Sequence, residues 1–240
     1  EILPQLRRAR LTANYDVIGR SDEEINEAFD TDAKVLSANE LLYAATLTND
    51  KARQEAIYKK TTELYPNDFR AYNNLGMMAY ANGDFTTAEN YFKQAASKDA
   101  NAPEVNTNLG YIELVKGNVA NAETYLSKST GANTANEALG NLYIKQGQYD
   151  RAVQAFGDTK TNSAALAQIL AKDYNKAKNT LNAVKNPDAY TDYLMAIVGA
   201  RTNNADLVKT SMAKVAQKDA TLAAKAQIDR EFAKYANEIK

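Results

Sequence analysis

At 240 residues the chain has room for one large domain or two small ones, and at 45% hydrophobic and 25% charged it has the composition of a folded globular protein rather than a disordered one. It contains no histidine, cysteine or tryptophan, which removes the commonest general base near neutral pH, any thiol nucleophile or disulfide, and the imidazole and thiolate ligands of a zinc site. With 29 Lys+Arg against 30 Asp+Glu the net charge is −1, too balanced for a chain whose main partner is nucleic acid.

The first twenty residues differ from the rest. Ala9, Leu11, Ala13, Tyr15 and Val17 alternate with Arg8, Arg10, Thr12, Asn14 and Asp16, the period-two pattern of a half-buried strand. No second strand of that quality follows, so residues 1–20 are read as an extended segment left over from an upstream domain. Ser21 and Glu24 then make a capping box, and Asp22, Glu23 and Glu24 suit the positive end of a helix, which predicts an entry helix over 21–36. The acids from Asp22 to Asp32 lack the glycine turn and alternating oxygen ligands of a calcium loop, and no metal site is expected there or elsewhere.

From Ser37 onward the helical signals come in pairs. A degenerate pair over 37–68 closes at Tyr65-Pro66-Asn67-Asp68, where proline cannot continue a helix. Clear hairpins follow over 69–102, 103–132 and 133–157, with degenerate ones over 158–187 and 188–217. A last helix over 219–238, carrying Ile228, Phe232 and Tyr235 between charges, is expected to cap the array. The longest apolar stretches, near Leu41–Leu47 and Leu194–Ala200, are too short to span a bilayer. The final third is basic, with eleven lysines and two arginines against eight acids over 160–240. A solvated face explains this without a partner, and a docking site for an acidic partner is the alternative.

The three clear hairpins share one residue pattern in register. Leu75-Gly76 leads through Gly83-Asp84-Phe85 and Ala88 to Phe92. Leu109-Gly110 leads through Gly117-Asn118-Val119 and Ala122 to Leu126. Leu139-Gly140 leads through Gly147-Gln148-Tyr149 and Ala152 to Phe156. The copies are spaced by 34, then 30, then about 25 residues, so the later hairpins should be shorter. Gly76, Gly110 and Gly140 fall where two helices would cross closely, with Ala88, Ala122 and Ala152 opposite. Gly83, Gly117 and Gly147 fall where a helix ends with positive φ. In the fourth copy Lys172 replaces that glycine, followed by Asp173, Tyr174, Ala177 and Leu181; a fifth is centred on Ala196, Ala200 and Leu207. Phe92, Leu126, Phe156 and Leu181 are the expected core knobs.

These residues resemble the tetratricopeptide repeat family, a 34-residue pattern with a Leu-Gly pair, a central Gly-Asp-Tyr/Phe, a small residue, an aromatic and a closing proline. The first copy departs at Ala100, where proline is usual, and at Ala79, where the aromatic has slipped to Tyr80. The resemblance covers roughly 37–217 and is strongest over 69–157. It implies an all-α fold: a right-handed α-solenoid of helix hairpins with a C-terminal capping helix and a short N-terminal extended strand. It also implies a non-catalytic scaffold that takes a peptide or protein partner in a concave groove, with no cofactor.

By the family pattern the groove positions are Arg70, Asn73, Met77 and Tyr80 in the first clear copy, Thr107, Tyr111 and Leu114 in the second, and Glu137, Asn141, Ile144 and Lys145 in the third. Asn73 and Asn141 would hold a peptide backbone through paired amide hydrogen bonds, and Tyr80 and Tyr111 would supply rigid apolar area. A clamp for acidic C-termini is argued against, because Asn73 and Met77 stand where such clamps carry Lys and Asn. Nothing in the sequence reads as a nucleophile motif, phosphate loop or metal spacing.

A second resemblance, on Leu6-Arg7-Arg8, Leu41-Leu42-Tyr43-Ala44-Ala45 and Gly199-Ala200-Arg201-Thr202-Asn203-Asn204, is to Bacteroidetes envelope proteins that carry an OmpA-type peptidoglycan-binding region. It implies a periplasmic or outer-membrane-associated protein with a peptidoglycan-binding or lipid-anchored region upstream; a cytoplasmic scaffold is the alternative. A structural spacer of an envelope complex, without specific peptide recognition, is the alternative function.

If Phe92 is a core knob, Phe92→Ala costs about 3–5 kcal/mol, a large share of the stability of a typical domain. Urea melts followed by circular dichroism test this, and an unchanged midpoint rules the assignment out.

Overall fold

The computed structural model describes residues 19–237 and residue 239. The extended segment read over 1–20 lies, except for Gly19 and Arg20, outside the described residues. Every regular element among those described is helical. Two compact units divide the chain, one through Ala71 and one from Tyr72.

The first unit opens with α1 (Asp22–Asp32), which starts where Ser21 and Glu24 bond each other's backbone N–H reciprocally. α1 stops at Asp32, whose carboxylate accepts from Lys34 N–H and turns the chain into a 3₁₀ turn, Ala33–Val35. The entry helix is therefore shorter than 21–36. Ser37 and Glu40 form a second capping box at the head of α2 (Ala38–Ala44). The Ser37 N–H and hydroxyl, then Arg20, hold the Glu40 carboxyl down to about 2. A 3₁₀ turn (Ala45–Leu47) leads to α3 (Lys51–Leu64), capped by Asp50. Ile25, Leu36, Leu41, Ala44, Ala45 and Ile57 form the core of this unit. Besides Glu24 and Asp32, two more members of the acidic cluster have structural partners: Asp22 accepts from the Tyr43 hydroxyl at 3.0 Å, and Asp30 pairs with Arg53 at 2.9 Å.

α4 (Phe69–Ala81) crosses the boundary between the units. It is followed by α5 (Phe85–Lys98), α6 (Pro103–Lys116), α7 (Val119–Leu126), α8 (Ala135–Lys145), α9 (Tyr149–Phe156), α10 (Asn162–Leu170), α11 (Tyr174–Asn182), α12 (Ala189–Arg201), α13 (Ala205–Lys218) and α14 (Ala220–Ala226). From α4 to α13 they form consecutive antiparallel hairpins. In the second unit the second helix of each hairpin packs on the first helix of the next, and α6, α8, α10 and α12 pack in series. The shorter spacing has its expected effect: α7 and α9 have 8 residues and α11 has 9, against 14 in α5. The fifth hairpin departs from the trend, since α13 again has 14 residues.

All five hairpin turns have one backbone geometry. A residue at positive φ follows the first helix: Gly83, Gly117, Gly147, Lys172 and Asn203, with φ of 78°, 79°, 71°, 65° and 56°. Its N–H returns to a carbonyl three residues back, and the next N–H to one five residues back, as in Asp84 to Ala79 and Asp173 to Gln168, both near 3 Å. This double closure is the Schellman motif, which satisfies helix-end carbonyls that would otherwise lack partners. Asp84, Asp173 and Asn204 then cap the next helix through their side chains.

Seven residues before each positive-φ position is a small residue, and nine after it is a large one. A Cβ built on Gly76 would lie 2.5 Å from the Phe92 ring; on Gly110, 2.5 Å from Leu126; on Gly140, 2.5 Å from the Phe156 ring. In the fourth and fifth hairpins the pairs are Ala165 with Leu181 and Ala196 with Met212, all buried. Glycine faces Phe92, Leu126 and Phe156, and alanine faces Leu181 and Met212. The knob of the fifth hairpin is thus Met212, and Leu207, expected at its centre, is only half-buried.

The helix expected over 219–238 is broken. α14 ends at Ala226, and Asp229 caps a separate 3₁₀ helix, Arg230–Tyr235, through Glu231 N–H. Tyr193 donates to the Asp229 carboxylate and Arg201 binds Glu231, so contacts with α12 hold the break in place. Phe232 and Tyr235 are buried as expected, but the break turns Ile228 outward and leaves it 85% exposed.

The packing pairs predict a coupling. Gly76→Ala gains about 1 kcal/mol of helix propensity but forces a Cβ against a fully buried ring, a cost of about 1–3 kcal/mol. The urea midpoint should fall, and adding Phe92→Leu should recover part of the loss, because the fourth hairpin already combines Ala with Leu. Additive single losses in the double-mutant cycle would refute the coupling.

Candidate partner-binding groove

The first helices of the hairpins share a second set of offsets. Six and three residues before the positive-φ position stand Met77 and Tyr80, Tyr111 and Leu114, and Asn141 and Ile144. These residues lie two turns and one turn back from the helix end, so they share a face. Their side chains meet in a trough within the second unit. One stretch, of about 300 Å³, is lined by Met77, Tyr80, Phe92, Asn108, Tyr111, Thr134 and Glu137. A second, of about 420 Å³, is lined by Tyr80, Tyr111, Leu114, Val115, Asn141, Ile144, Lys145 and Leu166. Tyr80 and Tyr111 line both stretches, which together touch α4, α6, α8 and α10.

The two tyrosines are fixed by their neighbours. The Tyr80 ring meets Phe85 edge-on at 5.2 Å and lies 6.3 Å from the Tyr111 ring. Burial pushes the Tyr111 hydroxyl well above its ordinary range; the Glu137 carboxylate adds to the shift, and a hydrogen bond with Asn141 opposes it. Burial raises Tyr80 as well. Both phenols therefore stay neutral at physiological pH and offer an apolar ring with a polar tip, a combination suited to a peptide carrying both kinds of group.

The structure brings eight of the expected groove residues to the trough: Met77, Tyr80, Tyr111, Leu114, Glu137, Asn141, Ile144 and Lys145. Met77 is 43% exposed, whereas Leu114 shows only 7% of its surface. Three do not join it. Arg70 belongs to the first unit, where Asp68 and Asn39 hold its guanidinium. Thr107 is fully buried and donates to the Pro103 carbonyl one turn back. Asn73 is buried and accepts from Asn108 Nδ2 at 2.8 Å, so its carbonyl oxygen ties two successive hairpins together instead of meeting a peptide. Val115 and Leu166 line the trough without having been expected. Leu166 stands six residues before Lys172, the same offset as Met77 before Gly83, and the missing turn glycine hid that register.

If the amide pair is structural, Asn108→Ala leaves a buried carbonyl oxygen without its donor and costs about 1–3 kcal/mol. The loss should show in the urea midpoint, while Asn141→Ala, at a half-exposed trough position, should leave the midpoint nearly unchanged. Equal effects at the two sites would contradict the distinction.

Three family models described as tetratricopeptide repeat match residues 57–90, 74–137 and 137–160. No curated protein matches the chain in sequence. Among solved structures the chain is similar to one from the APC/C hetero-tetramer Cut9–Hcn1, with a TM-score of 0.70 and 16% identity over 90% of this chain and 44% of that one. It therefore spans under half the length of that protein. A tetratricopeptide repeat protein from Parabacteroides merdae gives a TM-score of 0.59 and 12% identity over 91% of this chain and 90% of that one. PilW, a widely conserved type IV pilus biogenesis factor, gives 0.59 and 18% identity over 82% and 97%. Residues 57–160 are thus similar to tetratricopeptide repeats in sequence, and the hairpins after them continue the same fold.

Proposed function

We propose that the chain is a non-catalytic interaction scaffold that holds an extended segment of a protein partner along the Tyr80–Tyr111 trough. One observation carries this reading: Tyr80 and Tyr111, from two successive first helices, line two adjoining cavities together with aliphatic side chains of α4, α6, α8 and α10. An apolar channel with polar tips at intervals matches the alternating side chains and backbone amides of an extended peptide. The reading extends to a periplasmic or outer-membrane-associated scaffold, which rests on the resemblance of Leu41–Ala45 and Gly199–Asn204 to envelope proteins.

The test is selection of peptides from a random library on the wild-type chain, followed by affinity measurement on Tyr80→Ala combined with Tyr111→Ala. Removing two half-buried aromatic anchors should weaken the selected peptides by at least about 30-fold, with the helical circular dichroism signal retained. Val115→Glu, at a position 47% exposed, should also weaken them without touching the core. Peptides that bind these variants as well as wild type would move the site elsewhere. A library that yields no binder would favour the spacer role, in which an unrelated array of equal length substitutes for this one.

A further inference from the structure

The residues lining the trough include one carboxylate and one ammonium group, Glu137 and Lys145. Both belong to α8 and stand at opposite stretches of the channel. Neither makes an ion pair with any described residue. That contrasts with Glu89, Lys93, Glu113 and Lys116 in neighbouring hairpins, which neutralise one another within 2.6–3.3 Å. Between the two unpaired charges the wall is Tyr80, Tyr111, Leu114 and Ile144, which offers no compensating charge.

Eight residues of α-helix separate Glu137 from Lys145 by about 12 Å along the axis. An extended peptide advances about 3.3 Å per residue, so groups three or four positions apart on a bound segment reach both charges together. Glu137 is half-buried and Lys145 exposed, so such contacts remain sensitive to salt.

We propose that the trough selects a dipolar segment: a short apolar core with a basic side chain at one end, seated at Glu137, and an acidic one three or four residues away, seated at Lys145. This rests on the groove reading above and adds to it the charge order of the partner. Segments with two like flanking charges would meet repulsion at one end, the usual way in which charge discriminates among partners that share the same apolar contacts.

The experiment uses capped, labelled synthetic peptides with one apolar core flanked by Lys and Glu in either order, by two Lys, or by two Glu. Binding is read by fluorescence anisotropy on the full chain at about 20 mM and about 150 mM salt, where screening lengths differ severalfold. The better Lys/Glu order should bind at least tenfold tighter than either like-charged peptide, with the gap narrowing at the higher salt. Glu137→Lys should move the preference to the Glu/Glu peptide, and Lys145→Glu should move it to the Lys/Lys peptide. Equal affinity for all four peptides, lost in the Tyr80→Ala, Tyr111→Ala chain, would overturn the charge order and leave the groove standing. A ranking that stays the same in Glu137→Lys would also overturn it. Binding that survives loss of both tyrosines, or no binding of any peptide, would remove the groove reading and this inference with it.

Discussion

Each hairpin of the second unit depends on one steric contact, repeated five times: a small residue in the first helix admits a large side chain from the second. The distance between packed helices is set by the side chains at their closest point. Glycine opposite Phe92, Leu126 and Phe156 lets a bulky knob lie against bare backbone. Alanine faces Leu181 and Met212 at the same offset, and all four residues are buried. The buried partners of the second helix, Ala88, Ala122, Ala152 and Ala177, keep that helix close for the same reason. In the fifth hairpin the relation is reversed: Val208 occupies the alanine position, and Gly199 faces it, where a Cβ would lie 3.0 Å from the Val208 nitrogen.

The turn follows from that contact. Helices held so close leave the chain few residues in which to reverse, and the Schellman closure does so while satisfying two carbonyls. Positive φ is costly for a residue with a side chain, yet Lys172 and Asn203 adopt it with the same pair of backbone hydrogen bonds as the glycines. Packing on both sides therefore fixes the turn, and glycine makes it cheaper without being necessary. The pattern fades in sequence at the fourth copy while the geometry persists.

This explains what was legible. Gly76 with Phe92 and Gly83 with Asp84 carry information because sterics allow few residues there, and those positions were read correctly through three copies. The register of the fourth copy was visible from Asp173 to Leu181, but its first helix lacks both glycines, so Leu166 went unread as a groove residue. The break after Ala226 depends on Tyr193 and Arg201, more than twenty residues away, which no local periodicity reveals. Asn73 is a similar case: an amide at a groove position looks available in sequence, and the next hairpin places Asn108 against its carbonyl oxygen at 2.8 Å. Polar residues were harder to read than apolar ones, because a donor's partner is chosen by tertiary neighbours and apolar burial by the helix face.

The groove positions obey a different rule from the knobs. Six residues before the turn the side chains stay at least partly open to solvent, whereas three before it Leu114 and Ile169 enter the core and Tyr80, Ile144 and Ala200 are half-buried. Over the five hairpins one offset carries Met, Tyr, Asn, Leu and Ile, and the other Tyr, Leu, Ile, Ile and Ala. The knob offset admits only Phe, Leu and Met. Folding therefore constrains the contact offsets tightly and the groove offsets loosely. This separation lets a fixed scaffold present a wall whose chemistry differs from hairpin to hairpin. Two aromatic rings brought within 6.3 Å from different hairpins exceed what stacking the helices demands, as does the pair of uncompensated charges on α8. Both lie beside the hairpin contacts and outside the steric pairing of small residue with knob that fixes the helices.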